Sequence, residues 1–298
     1  MLLSVLQQGA QGTTLQQLNN FLRTDAEQSR KTYSKIAQNI KKDTNSSIIT
    51  ELATKAFVNK GFEIKSEFKK TVVNDFYSDI QQLDFSDASF AAKQINAWVN
   101  KETHGKVDQI ISKDMLGPSV QLVLANALFF KGSWSSPFSP EKTRNKSFKV
   151  DEDGKEVFVP TMHRMMFLRT GEMFTPGFKW AEIPFQGKQY VMLVLLPDEG
   201  KTLSTLVEHL ATTDALTTIF NSKRRRNLDI ALPKFKLSTK LDLIKPLKQV
   251  GIRDIFSKEK ANLTGISEKP LYVSQIVHRV ELSIDEKVAE LPVLQELY

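Results

Sequence analysis

Residues 271–298 run LYVSQIVHRVELSIDEKVAELPVLQELY, the longest alternating stretch near the C-terminal end. Ile276, Val280, Leu282 and Ile284 recur on one side of an extended run that His278 interrupts. Alternation with a period of two over that length specifies a sheet element rather than a helix. The pattern breaks at Asp285-Glu286-Lys287, passes through Val288-Ala289-Glu290 and meets Pro292.

Upstream of it, LDIALPKFKLS (228–238) shifts its apolar phase from Leu228, Ile230 and Leu232 to Phe235 and Leu237. Pro233 stands at the shift, which predicts a bend or bulge. A helix over 240–250 is expected to close at Gly251. SVQLVLANALFF (119–130) is apolar on both faces except for Asn126, so it belongs inside a sheet covered on both sides. Several shorter strands are expected over 145–195 and helix over 202–221. Nearer the N-terminus the spacing predicts helices over 1–45, a strand over 48–59, and helices near 66–78 and 88–101. In 27–42 Tyr33, Ile36, Ala37 and Ile40 make one apolar face, while Lys31, Lys35 and Lys42 form a basic stripe elsewhere on the cylinder. Helices come first and strands and helices then mix without a regular βαβ repeat, which gives an α+β class with no linker composition.

Composition sets outer limits. The chain of 298 residues is 41% hydrophobic and 25% charged, as expected of a globular protein with a sizeable core. A net charge of +7 makes the surface mildly basic, compatible with polyanions without demanding them. Cysteine is absent, which excludes disulfides, a thiolate nucleophile and sulfur metal sites but does not fix the compartment. There is no Gly-x-Ser-x-Gly elbow and no His-Glu-x-x-His, and His104, His163, His209 and His278 show no ligand spacing. A hydrolase is therefore a poor reading, and no cofactor, metal, nucleic acid or membrane is expected. The N-terminal apolar run is too short for a signal peptide, and both ends of the chain look cut.

Five runs, in order and spread across nearly the whole chain, resemble serpins: INAWVNKETHGKVDQII (95–111), LVLANALFFKGSWSSPF (122–138), LDIALPKFKLS (228–238), QVGIRDIFSKEKANLTGIS (249–267) and VSQIVHRVELSIDEK (273–287). The resemblance implies one serpin domain over 1–298, with three β-sheets and about nine helices. It also implies that the family's first helix, early strand and C-terminal strands are missing, so that this polypeptide is expected to fold poorly or aggregate. The implied function is inhibition of a serine protease rather than enzymatic catalysis. In the family a protease cleaves an exposed loop, and the loop then inserts into the central sheet as an extra strand, releasing stored strain. The alternative is a non-inhibitory serpin that acts as a binding or chaperone-like protein. The family further implies a monomer whose target protease cannot be named.

The resemblance assigns roles residue by residue. Asn126 and His278 match a pair that latches the central strands where the sheet must part; the plainer reading is two buried polar groups that satisfy each other or the backbone. Trp134 matches the tryptophan at the point where insertion starts, although a large core side chain would also suit it. Glu286, Lys287, Val288, Ala289 and Glu290 match the loop hinge. Val288 stands where inhibitory members have glycine, Ala289 where they have threonine, and Leu291-Pro292-Val293-Leu294 where they have small residues. Such residues are expected to insert poorly, through either a non-inhibitory protein or serpin sequence that ends near Lys287; the second is preferred. Lys31, Lys35 and Lys42 lie on the helix that some serpins use for heparin, and Lys223-Arg224-Arg225-Arg226 is a second basic patch, although charge runs are commonly just solvated surface. Asn45, Asn145 and Asn262 head glycosylation tripeptides, which favours an extracellular glycoprotein over a cytoplasmic protein.

Overall fold

The computed structural model describes residues 1–42, 48–105, 107–150 and 155–290. The helices are α1 (Leu2–Gly9), α2 (Gly12–Leu22), α3 (Ala26–Lys42), α4 (Ser66–Asn74), α5 (Ala88–Glu102), α6 (Leu203–Thr212), α7 (Ala215–Asn221) and α8 (Ile244–Gln249). The strands are β1 (Ile48–Asn59), β2 (Asp79–Leu83), β3 (Leu122–Ser133), β4 (Arg144–Lys149), β5 (Glu156–Met173), β6 (Phe178–Pro184), β7 (Val191–Pro197), β8 (Arg225–Pro233), β9 (Phe235–Asp242), β10 (Val273–Ile284) and β11 (Val288–Glu290).

Two sheets hold the described strands. The first has the order β2-β1-β3-β11-β10-β9, and the second runs β4-β5-β6-β7 with β8 also paired to β5. The alternation in 119–130 explains how the first sheet is covered. Leu122 and Leu124 face a core built with α1, α2 and α4 through Leu6, Leu18 and Val72. Val123, Ala125 and Ala127 face the opposite core, under α5, with Ile95 and Val99. Successive strand side chains point to opposite faces, so both layers follow from one apolar run. α5 is held at its start and at its middle. Asp87 caps its first turn by accepting from the Phe90 N–H at 2.9 Å, and the Asn96 side-chain oxygen accepts from the N–H groups of Ile110 and Ile111 at 2.9 and 3.1 Å.

Several local expectations are corrected. Residues 145–195 contain β5, an unbroken strand of 18 residues, because its two halves find partners in succession: β4 along its first part, β8 through the middle and β6 at its end. Helix was expected from 240, but β9 continues to Asp242, where the pairing of Ser238–Asp242 with Val277–Glu281 overrides the helical spacing of Leu241, Ile244 and Leu247. The helix near 66–78 stops at Asn74, and 202–221 divides at Thr213-Asp214 into α6 and α7. The phase shift at Pro233 is a change of sheet: β8 ends there in the second sheet and β9 begins at Phe235 in the first. The described residues form eight α-helices and two hydrogen-bonded sheets, where about nine helices and three sheets were expected.

Candidate sheet-opening site and hinge

β3 and β10 run parallel and pair directly from Val273↔Leu122 to Val280↔Leu128. Beyond that point they part, and β11 lies between them. Val288, Ala289 and Glu290 pair with Ser133, Gly132 and Lys131 on one side, while Ala289 and Glu290 pair with Ile284 and Ser283 on the other. The first sheet is therefore a fork whose mouth the chain itself fills. Gly132 sits opposite Ala289, and a Cβ there would come within 2.9 Å of the Phe130 and Phe185 rings.

The polar interruptions of the apolar strands meet in the closed part of the fork. Asn126 and His278 are partners across the β3–β10 pairing. Both have the parity of Leu122, Leu124 and Ile276, so they face the α1 side of the sheet and not α5. Asn126 is buried, and its amide nitrogen donates to the Thr54 hydroxyl oxygen on β1 at 2.8 Å, linking β3 to the strand on its other side. Burial pushes the His278 imidazole below its ordinary value of 6.5, which favours the neutral ring beside Asn126.

The corner at 285–287 is held by a different set of contacts. The Trp134 indole N–H donates to the Asp285 carbonyl at 2.8 Å, and its backbone N–H donates to the Lys287 carbonyl at 3.3 Å. The Phe138 N–H donates to the Glu286 carbonyl at 2.8 Å, and the Lys287 N–H donates to the Asp285 carboxylate at 2.9 Å. Trp134 is fully buried, stacked on Phe185 at 4.7 Å with Phe138 edge-on at 6.0 Å, and it bridges to Phe185 between the two sheets. Glu286 is buried and takes a hydrogen bond from the Thr143 hydroxyl at 2.7 Å and an ion pair from Lys234 at 2.9 Å. Burial, the largest single influence, pushes its carboxyl up. The hydrogen bonds from Lys234 and Thr143 and the charge of Lys234 together outweigh it and hold the group below its ordinary 4.5.

Sequence reasoning did not find Thr143, Lys234, Phe138 or Thr54. Their partners lie far off in the chain, and no local pattern marks a threonine or lysine as a clamp. Val288–Glu290 occupy strand positions as β11, while Leu291–Leu294, on which the expectation of poor insertion also rests, lie outside the described residues.

The basic residues fall in two places that the fold does not join. Lys31 pairs with Glu27 at 2.6 Å on α3, and Lys35 is exposed on the same helix. Lys42 ends that helix. Lys223, Arg224, Arg225 and Arg226 are exposed where α7 leads into β8, with Arg224 at 3.9 Å from Glu172. Asn145 is exposed on β4. Asn262 is half-buried against α2: its N–H donates to the Thr14 hydroxyl, its carbonyl accepts from Gln11, and its side-chain oxygen accepts from Thr264. Asn45 lies outside the described residues. Among the described residues no helix is long and apolar enough to cross a membrane, and no cluster of His, Cys, Asp or Glu could hold a metal ion.

Comparison with known proteins identifies the family and agrees with the fold. The family model "Serpin (serine protease inhibitor)" matches residues 1–292. Glia-derived nexin from Mus musculus is 34% identical over 291 residues, covering 96% of this chain and 72% of that protein. The crystal structure of Manduca sexta serpin-12 superposes with a TM-score of 0.91 at 29% identity, over 96% of this chain and 80% of that one. Native protease nexin-1 solved with heparin gives a TM-score of 0.88 at 30% identity, over 100% of this chain and 81% of that one.

Proposed function

The chain belongs to the serpin family of serine protease inhibitors, and from that premise we propose that residues 286–290 are the hinge of its protease-trapping loop. In this reading a serine protease attacks the loop that the hinge begins. The loop then continues the path of β11 down the seam between β3 and β10. The observation that carries the proposal is the position of β11, already a strand of the first sheet between the two strands that must separate. Its continuation requires the β3–β10 pairing to part from Val280↔Leu128 downward. Asn126 and His278 are the latch in that path, and a polar pair suits the task because it can find new partners once parted, whereas a packed apolar seam cannot. Trp134 and the Glu286 clamp fix where the hinge enters. Residues 1–298 act as one domain.

The protein traps proteases and does not itself catalyse a reaction. The test is incubation with a panel of trypsin-like, chymotrypsin-like and elastase-like serine proteases, followed by denaturing electrophoresis and residual-activity assays. A denaturant-stable protein–protease complex with at least one of them is expected. Plain cleavage of the chain near the hinge with full protease activity retained would instead support a non-inhibitory binding role.

A heparin-like polyanion is the second partner, held by Lys31, Lys35 and Lys42 or by Lys223–Arg226. Support comes from the exposed Lys31 and Lys35, from the exposed run Lys223–Arg226, and from protease nexin-1, which was solved with heparin. Salt-dependent retention on heparin, weakened by Lys31→Ala with Lys35→Ala, tests the first patch. An extracellular location with a glycan on the exposed Asn145 fits the same reading, and a shift in mass on glycosidase treatment of secreted material tests it.

A further inference from the structure

A cleft of about 470 Å³ opens between α5 and the β1–β2 edge of the first sheet, away from the fork. Its size falls within the roughly 300–1,000 Å³ of small-molecule sites. At its inner end is Lys55, whose side chain is 9% exposed, against 58% for the Asp79 carboxylate that pairs with it at 2.6 Å. Lys55 has odd parity on β1 and so points to the α5 side, where its ammonium lies 5.5 Å from the Phe57 ring and 5.9 Å from the Trp98 ring. A lysine is rarely this buried, and a buried ammonium framed by aromatic rings attracts an anion that carries its own ring. Trp98, half-exposed on α5, and Tyr77 line the cleft, and Lys101 and Glu102 line it with one charge of each sign. Tyr77 has φ of 50°, a backbone geometry that a bulky residue keeps only where its surroundings impose it, and one that clusters at binding sites.

We propose that this cleft binds a small aromatic anion, a ring bearing a carboxylate or sulfonate, with the anionic head on Lys55 and the ring against Trp98. The ligand's head takes the place of Asp79, whose mostly exposed carboxylate turns out to solvent. The site goes beyond the inhibitory reading and does not depend on it, since neither the hinge nor the latch takes part.

The competition with Asp79 gives the test its sign. Isothermal titration calorimetry of the whole chain with 1-naphthoate should give one saturable site, and neutral 2-naphthylmethanol should bind at least about tenfold more weakly, the worth of one charge-assisted contact. Lys55→Met should weaken 1-naphthoate by about tenfold and Trp98→Leu by a similar factor. Asp79→Asn, which removes the competing carboxylate, should tighten it by about fivefold. If Lys55→Met does not fold, Asp79→Asn still decides the matter, because a purely apolar site would not respond to it. Absence of saturable binding, equal binding of the neutral probe, or unchanged or weaker binding by Asp79→Asn would each overturn the proposal. So would hydrogen-exchange protection by 1-naphthoate that falls on the exposed Phe158 and Phe167 of β5 and spares β1 and α5.

Discussion

The two halves of the β3–β10 pair are built from the same kind of apolar strand and held together in opposite ways. In the closed half the strands bond to each other, and the polar side chains facing the α1 side of the seam are neutral or biased toward neutral: Asn126 on Thr54, beside a His278 whose imidazole burial pushes below its ordinary value. In the open half the strands do not touch. β11 separates them, and the corner that feeds it is fixed by a buried carboxylate with two partners and by an indole wedged between the sheets. A neutral hydrogen bond nets about 0.5–1.5 kcal/mol, and a buried charge deprived of its partner costs about 3–5 kcal/mol. On the proposed insertion path, the side-chain contact at the seam that would part is the weaker device, and the corner at 285–287 is fixed by the stronger one.

Four perturbations should break or sharpen this contrast. Trp134→Ala strikes the open half hardest. It removes a fully buried indole and its bond to Asp285, so a loss of about 3–5 kcal/mol is expected in denaturant unfolding. Glu286→Gln should cost about 2 kcal/mol, discounted because Lys234 is partly solvated. Its signature is local: amides of 285–290 should exchange faster while those of 122–128 keep their protection. Thr54→Val should cost about 1–2 kcal/mol by leaving the Asn126 amide short of its acceptor, and here faster exchange should appear in 122–128 and 273–280 instead.

Acidification should then order the two halves by pH, with a smaller effect. The folded state resists protonating His278, so the stability it supports is complete above 6.5 and falls as the pH drops below 6.5 toward the lowered folded value. Glu286 is held below 4.5, so its contribution persists to that pH and is lost only as the pH falls further through its folded value. Hydrogen exchange between pH 6.5 and 4.5 should loosen the closed half first, and His278→Gln should remove that response.

The contrast was half legible in the sequence. Asn126 and His278 could be found because each is a polar residue at an apolar position of a period-two pattern. Thr54 could not, since threonine is an ordinary strand residue and its role depends on the β1–β3 register. Glu286 was picked out by the resemblance, but its clamp joins positions contributed by Thr143, just before β4, and Lys234, between β8 and β9. Trp134 was visible as a large residue after Lys131-Gly132, while its stacking on Phe185 depends on two sheets meeting. The helix expected from 240 failed for a related reason: pairing with β10 outweighed a local apolar spacing.

Residues 288–290, the proposed hinge, are already a strand of the first sheet, seated between β3 and β10. Hydrogen exchange of the native protein at neutral pH, resolved to the amides of 288–290 and 131–133, tests this placement most directly. Slow exchange is expected in both segments, comparable to that of the closed half at 122–128. Exchange of 288–290 at the rate of an unstructured peptide, with 131–133 equally unprotected, would contradict it.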